Sequence, residues 1–101
     1  MNTIILAAGQ GTRLRPYTDK QPKCMVPLGG KSLLHWQMEA LSACGVKADS
    51  IVIVAGYEAG RIEAPGTSRI LNLRYASTNM VETLFCARDY MVPGEDLLIC
   101  Y

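Results

Sequence analysis

No stretch of this chain approaches the ~20 consecutive apolar residues that a membrane-spanning helix requires, so a membrane is not among the expected partners. The N-terminus has no basic region leading an apolar segment to a cleavage site, so Thr3–Ala8 reads as a strand rather than a signal peptide. Charge of one sign is also lacking. Ten Lys and Arg stand against nine Asp and Glu, which leaves no excess of basic surface for nucleic acid. Histidine is nearly absent, with His35 alone, and it reads as a surface or capping residue at a helix start. The four cysteines, Cys24, Cys44, Cys86 and Cys100, contain no C-x-x-C pair. That spacing argues against a metal site or a disulfide framework and for reduced thiols in a cytosolic core. Cys24, next to Lys23, is the one thiol whose neighbour suggests extra reactivity, although free cysteines are ordinarily packing residues. Internal repeats, linkers and low-complexity segments are missing too.

What is present is a globular composition. Half of the 101 residues are hydrophobic, enough for one domain that buries about two-thirds of its unfolded surface. The stretch that organises the chain is Leu6-Ala7-Ala8-Gly9-Gln10-Gly11-Thr12-Arg13-Leu14-Arg15-Pro16, with Pro22-Lys23 shortly after it. An apolar strand runs directly into a loop with two glycines, and the loop then turns cationic. Gly9 and Gly11 can adopt positive φ and let the backbone approach a ligand closely. Successive N–H groups in such a loop form a concave anion site. Arg13, Arg15, Lys20 and Lys23 against Asp19 give residues 9–27 a net charge of +3 in a chain of net +1. Positive charge is thus gathered at the carboxyl end of the first strand, where open α/β sheets bind ligands. The expectation is a polyphosphate site.

Two well-known phosphate loops do not fit. The dinucleotide fingerprint G-x-G-x-x-G requires glycine at position 14, which is Leu14, and the Walker pattern requires Gly-Lys-Ser/Thr where Gly11-Thr12-Arg13 stands. Pro16 disfavours a long helix starting at Gly11, so the loop is expected to be extended.

The pattern L-A-A-G-x-G-T-R-L-x-P-x-T followed by P-K-x-M resembles the signature of the nucleotidyltransferases that make sugar nucleotides and related activated head groups. Leu6, Ala7, Ala8, Gly9, Gly11, Thr12, Arg13, Leu14, Pro16, Thr18, Pro22, Lys23 and Met25 all match it. Thr78-Asn79-Met80-Val81 with Thr83-Leu84 looks more like the branch that transfers cytidylyl groups to phosphocholine and similar compounds than the hexose-1-phosphate branch. The resemblance implies a Rossmann-like nucleotide-diphospho-sugar transferase fold and a cytoplasmic enzyme, with a homo-oligomer left open. It implies as partners a nucleoside triphosphate (CTP, or UTP or dTTP) and a small phosphorylated acceptor. It also implies a role in preparing head groups for cell-surface polysaccharide. In that family an Asp that holds Mg²⁺ follows the strand corresponding to Leu97–Tyr101. The expected Mg²⁺ ligands therefore lie beyond residue 101, and no metal ligand is assigned within the chain. On this reading residues 1–101 are a truncated, N-terminal nucleotide-binding half, inactive alone.

Pattern along the chain agrees with an α/β class. After a turn at Leu28-Gly29-Gly30, Ser32 caps a helix from Leu33 to Cys44 that Gly45 stops. The helix presents Leu34, Met38 and Leu41 beside Leu33, Trp36, Ala40 and Cys44, with Trp36 expected in the core. Ile51-Val52-Ile53-Val54 marks a strand buried on both faces. A short helix over Glu58–Glu63 follows, closed by Pro65-Gly66. Arg69–Tyr75 alternates, with Leu71, Leu73 and Tyr75 on one face and Asn72 and Arg74 on the other. A second helix runs from Ser77-Thr78-Asn79 to Tyr90, and Leu97–Cys100 starts a fourth strand. The order β-α-β-α-β-α-β calls for a mostly parallel sheet sandwiched by helices.

The chemistry that follows is attack of an acceptor phosphate oxygen on the α-phosphorus of the triphosphate, with release of pyrophosphate. Both partners are anions, so the work is positioning and electrostatic stabilisation. Arg13 can fork onto two oxygens of the leaving pyrophosphate, and Lys23 is a point charge suited to the α-phosphate and the incoming phosphate. Gly9, Gln10, Gly11 and Thr12 offer backbone N–H groups, while Leu6, Ala7 and Ala8 leave room for base and ribose. By resemblance, Thr78, Asn79 and Thr83 lie where the base is read. Thr78 and Asn79 serve equally well as helix caps. Glu58 and Glu82 fit helix dipoles, and Arg15 and Lys20 fit solvated charges that steer anions. Two rivals remain. A non-catalytic regulatory relative would be expected to lose Arg13 or Lys23, and both are kept. A dinucleotide oxidoreductase would need a third loop glycine and an acid after the second strand, where Ala55-Gly56-Tyr57 stands.

Overall fold

A computed structural model describes residues 2–101. The first strand, β1 (Asn2–Ala7), ends one residue earlier than the sequence suggests, although the Ala8 carbonyl still accepts from the Tyr57 N–H at 3.1 Å. The cationic segment that follows is coiled rather than extended. It contains two 3-10 turns, Thr12–Leu14 and Lys23–Met25, with Tyr17 N–H donating to the Leu14 carbonyl at 2.8 Å between them. Gly29 and Gly30 then reverse the chain in a small antiparallel hairpin of β2 (Pro27–Leu28) and β3 (Lys31–Ser32).

Helix α1 (Leu33–Ala43) starts where its sequence signals it. The Ser32 hydroxyl accepts from the His35 N–H at 3.0 Å, and Gly45 takes φ +85° just past the end. The β-branched run forms β4 (Ile51–Ala55), whose five residues are all buried. Beyond it come β5 (Ser68–Leu71), α2 (Met80–Phe85) and β6 (Leu97–Cys100). Three of these elements differ from expectation. Glu58 adopts φ +48°, which breaks helical geometry, so Glu58–Glu63 holds only a 3-10 turn over Ala59–Arg61. β5 stops at Leu71, opposite the last residue of β4, and the chain turns through Asn72–Ser77. α2 closes at Phe85, and a separate 3-10 turn, Arg88–Tyr90, replaces its expected last turns.

The four long strands form one parallel sheet in the order β5-β4-β1-β6, with Ile5 opposite both Ile53 and Cys100. Alternate residues feed two cores. Ile5, Ala7, Ile51, Ile53 and Ala55 pack with Leu34, Leu41 and Ile62 on the α1 side. Ile4, Val52 and Val54 pack with Ala87, Leu84 and Met91 on the α2 side. The sheet is therefore covered on both faces, as parallel sheets require. The chain winds outward from β1 to β4 and β5, then returns to the other side of β1 as β6. At such a reversal the loops leaving neighbouring strands diverge and leave a crevice at their carboxyl ends.

Candidate functional site

A cavity of about 510 Å³ opens at that crevice, within the size range of small-molecule sites. β1 and its loop supply one wall through Leu6, Ala7, Ala8, Gly9 and Gly11, and Lys23 and Cys24 continue it. Tyr75, Thr78, Asn79, Met80 and Thr83 form the opposite side, Leu33, Leu34 and Gln37 come from α1, and Tyr101 follows β6. Of the twelve residues singled out from sequence, nine line this cavity. Gln10, Thr12 and Arg13 do not; Thr12 and Arg13 stand exposed on the 3-10 turn beside it.

The glycine loop is held by buried contacts. Gly11 sits in the left-handed region at φ +61°, and a Cβ there would lie 2.9 Å from the Thr18 methyl. Thr18 is fully buried and donates its hydroxyl proton to the Gly11 carbonyl at 2.7 Å. The Tyr57 phenol forks onto the carbonyls of Thr18 at 2.6 Å and Asp19 at 3.0 Å, tying the loop to the end of β4. Gly9 has no positive φ, contrary to the sequence expectation, and has open space where a Cβ would stand. Among the described residues, the N–H groups of Gly9, Gln10 and Gly11 donate to no protein acceptor. Lys23 is exposed on the cavity wall, and neither it nor Arg13 pairs with a carboxylate among the described residues. The glycine loop with its free donors and the unpaired Lys23 thus meet at the same cavity, with Arg13 exposed beside it, an arrangement that suits an anion.

The far wall is organised by a residue that sequence periodicity misplaces. Asn72 is buried, while Leu71 and Leu73, set on the other face by the alternation, are exposed. Its side-chain amide donates to the hydroxyls of Thr78 at 2.9 Å and Thr83 at 3.1 Å, and its Oδ1 accepts from the Arg74 N–H at 3.0 Å. A fully paired amide can be buried at little cost. Asn79 caps α2, accepting the Glu82 N–H at 3.0 Å, and also lines the cavity. Tyr75 packs edge-on to Tyr57 with ring centres 6.1 Å apart. It leaves no room beside Gly56, where a Cβ would meet the Tyr75 Cβ at 2.6 Å.

Burial pushes the Cys24 thiol up to about 11, with Lys23 and Arg69 pulling weakly the other way, so it is not an activated nucleophile. Cys44 and Cys86 are exposed rather than in the core. Trp36 is 42 % exposed, because its indole N–H donates to the Leu28 carbonyl at 2.6 Å and the Lys31 ammonium sits 4.5 Å from its ring centre. Lys31 also bonds Glu39 at 2.8 Å, which holds the Glu39 carboxyl below its ordinary range. Among the described residues no cluster of His, Cys, Asp or Glu could hold a metal ion, and the cavity wall carries no carboxylate. The residues present therefore do not by themselves fit a Mg²⁺ site. Among the described residues no helix is long and apolar enough to cross a membrane.

Comparison with known proteins bears on what this cavity takes. The profile of the MobA-like NTP transferase domain matches residues 3–101. CTP:phosphoglutamine cytidylyltransferase of Campylobacter jejuni is 40% identical over all of this chain and 43% of its own length. A UTP–glucose-1-phosphate uridylyltransferase of Haloferax volcanii is 45% identical over 57% of this chain and 23% of its own. In three dimensions, CTP:phosphocholine cytidylyltransferase from Streptococcus pneumoniae matches at a TM-score of 0.79 and 36% identity, over 87% of this chain and 40% of that one. The chain spans less than half the length of each of these relatives.

Proposed function

This chain belongs to the MobA-like NTP transferase domain family, and from that premise we propose that it is the N-terminal, nucleotide-binding half of an enzyme that transfers CMP from CTP to a small phosphorylated acceptor. The observation that carries this reading is the single cavity joining the Gly9–Gly11 loop and Lys23 to the Thr78–Thr83 wall. One end offers unpaired N–H groups and a cation for phosphates, and the other offers hydroxyls in a buried frame for a base.

In the reaction, an acceptor phosphate oxygen attacks the α-phosphorus, the bond to the bridging oxygen breaks, and pyrophosphate leaves. The attacking phosphate is already ionised, so no general base is needed. Lys23 lowers the repulsion between the two anions, and its contribution grows as charge moves onto the leaving group. The N–H groups of Gly9, Gln10 and Gly11 cradle the phosphates, and Thr12 extends the same turn. Arg13, exposed beside the cavity, reaches the departing pyrophosphate once nucleotide fills the site. Small side chains at Ala7 and Ala8 keep β1 open to the ribose. Mg²⁺ belongs in this reading only as the companion ion of the triphosphate. The site works in the cytoplasm, where CTP is made and used.

The uridylyltransferase relative supports a second reading, in which UTP and a hexose 1-phosphate are the substrates. A panel measuring pyrophosphate release by the full-length protein separates the two. It crosses CTP, UTP, dTTP, ATP and GTP with phosphocholine, phosphorylated glutamine and hexose 1-phosphates. Release that depends on CTP together with a phosphorylated choline or amide supports the first reading. Release confined to UTP with glucose 1-phosphate replaces it with the second, and release from no pair removes both.

A further inference from the structure

Asn72 lies outside the cavity wall, yet its hydrogen bonds fix what the wall can offer. Its backbone N–H donates to the Ala55 carbonyl at 2.7 Å, which pins it to the end of β4. Its Oδ1 accepts from the Arg74 N–H at 3.0 Å. A backbone N–H can only donate, so this bond decides the orientation of the amide and turns Nδ2 toward the threonines. Nδ2 then spends both protons, one on Thr78 Oγ1 and one on Thr83 Oγ1. The Thr78 hydroxyl gives its own proton to the Arg74 carbonyl at 2.9 Å. Thr78 is left with a lone pair and nothing to donate. Thr83, 7 % exposed, accepts from Asn72 but keeps its proton, for which the described residues provide no acceptor. Both threonines line the cavity, so their hydroxyls put an acceptor at Thr78 beside a donor at Thr83.

That order matches one kind of nucleobase edge. Cytosine has an exocyclic amino donor next to a ring-nitrogen acceptor. Uracil has a carbonyl acceptor next to a ring N–H donor, the reverse. We propose that Asn72 is the positioning residue that sets base selectivity here: by holding Thr78 as acceptor and Thr83 as donor, it makes the cavity take an amino-bearing pyrimidine in preference to a keto one. This rests on the reading of the cavity as a nucleoside triphosphate site, and it assigns selectivity to a residue that touches neither base nor phosphate.

The test compares kcat/KM for CTP and UTP in the full-length protein, two probes whose bases differ in that edge alone. Asn72→Asp keeps the shape but replaces the amide donor by a carboxylate oxygen, so both threonines give it their protons and Thr83 turns from donor to acceptor; the cytosine ring nitrogen then meets a lone pair there, while the uracil ring N–H gains a partner. The CTP-over-UTP ratio should fall by roughly tenfold or more, the scale of one mispaired buried hydrogen bond. Because a buried carboxylate can prevent folding, Thr78→Val and Thr78→Ser are measured beside it. Loss of the acceptor in Thr78→Val should collapse the ratio, and Thr78→Ser should keep it. A ratio unchanged in both Asn72→Asp and Thr78→Val, whatever happens to overall rate, would show that Asn72 only supports the fold and overturn the proposal. A wild-type protein that uses UTP as well as CTP overturns this proposal while nucleotidyl transfer stands. A wild-type protein that uses neither overturns both.

Discussion

Replacing Gly11 by alanine separates the two glycines of the loop, which look alike in sequence and do different work. At φ +61° the left-handed conformation costs an L-residue about 1–2 kcal/mol. The added Cβ would also lie 2.9 Å from the Thr18 methyl and 3.4 Å from the Lys23 Cβ. Thr18 has nowhere to move, being fully buried and bonded to the Gly11 carbonyl. Relieving such an overlap adds about 1–3 kcal/mol, for a total of about 2–5 kcal/mol. In a full-length protein of the relatives' size that lowers the melting temperature by about 4–20 °C. Gly9→Ala is the control. It has no positive φ and open space around it, so its stability should change by less than ~1 kcal/mol. Gly9 nevertheless lines the cavity, so the added methyl group should weaken nucleotide binding. Thermal melts and nucleotide titrations of both variants in the full-length protein check this pair. Equal losses of stability in the two, or none in Gly11→Ala, would refute the reasoning.

Lys23→Ala should reduce turnover by well over ~10²-fold with little change in melting temperature, since Lys23 is exposed and unpaired among the described residues; near-normal steady-state rates would remove it from the mechanism. Tyr57→Phe deletes the forked bond to Thr18 and Asp19, and should cost about 0.5–1.5 kcal/mol and speed proteolysis within residues 15–20. Thiol labelling at pH 8 should mark the exposed Cys44 and Cys86 first, because a Cys24 thiol at about 11 is only ~10⁻³ ionised there. The fold holds the Cys24 proton more tightly than the unfolded chain, whose value is near 9.0. Its contribution to stability is therefore intact below pH 9 and lost as pH rises toward 11, which alkaline denaturation of wild type and Cys24→Ala would show.

The parts of the fold that could be read in the sequence are those where local and tertiary preferences agree. Ile51–Val54 is β-branched throughout because parallel sheets bury both faces, and Ser32 and Gly45 bracket α1 by cap chemistry that acts locally. The glycine loop and Lys23 could be read because a motif fixes their spacing. Asn72 could not. Alternation only sets Asn72 opposite Leu71 and Leu73 on a strand read as more exposed, and it is the later threonines, brought back by α2, that let the amide be buried. Trp36 reads as core by its place on the helix stripe, yet the hairpin gives its N–H and ring partners at the surface. The expected length of α2 fails similarly. Its apolar positions continue in register to Met91, but Ala87 leaves helical geometry at φ −101°, ψ 17°.

The account rests on triphosphate and base sharing the cavity beside β1. A structure of the full-length protein with bound CTP tests that directly. The account predicts phosphate oxygens within hydrogen-bond distance of the Gly9–Gly11 N–H groups and Lys23 Nζ, with the cytosine amino group toward Thr78. Phosphates bound elsewhere, with the Lys23 and Arg13 side chains in bulk solvent, would contradict it.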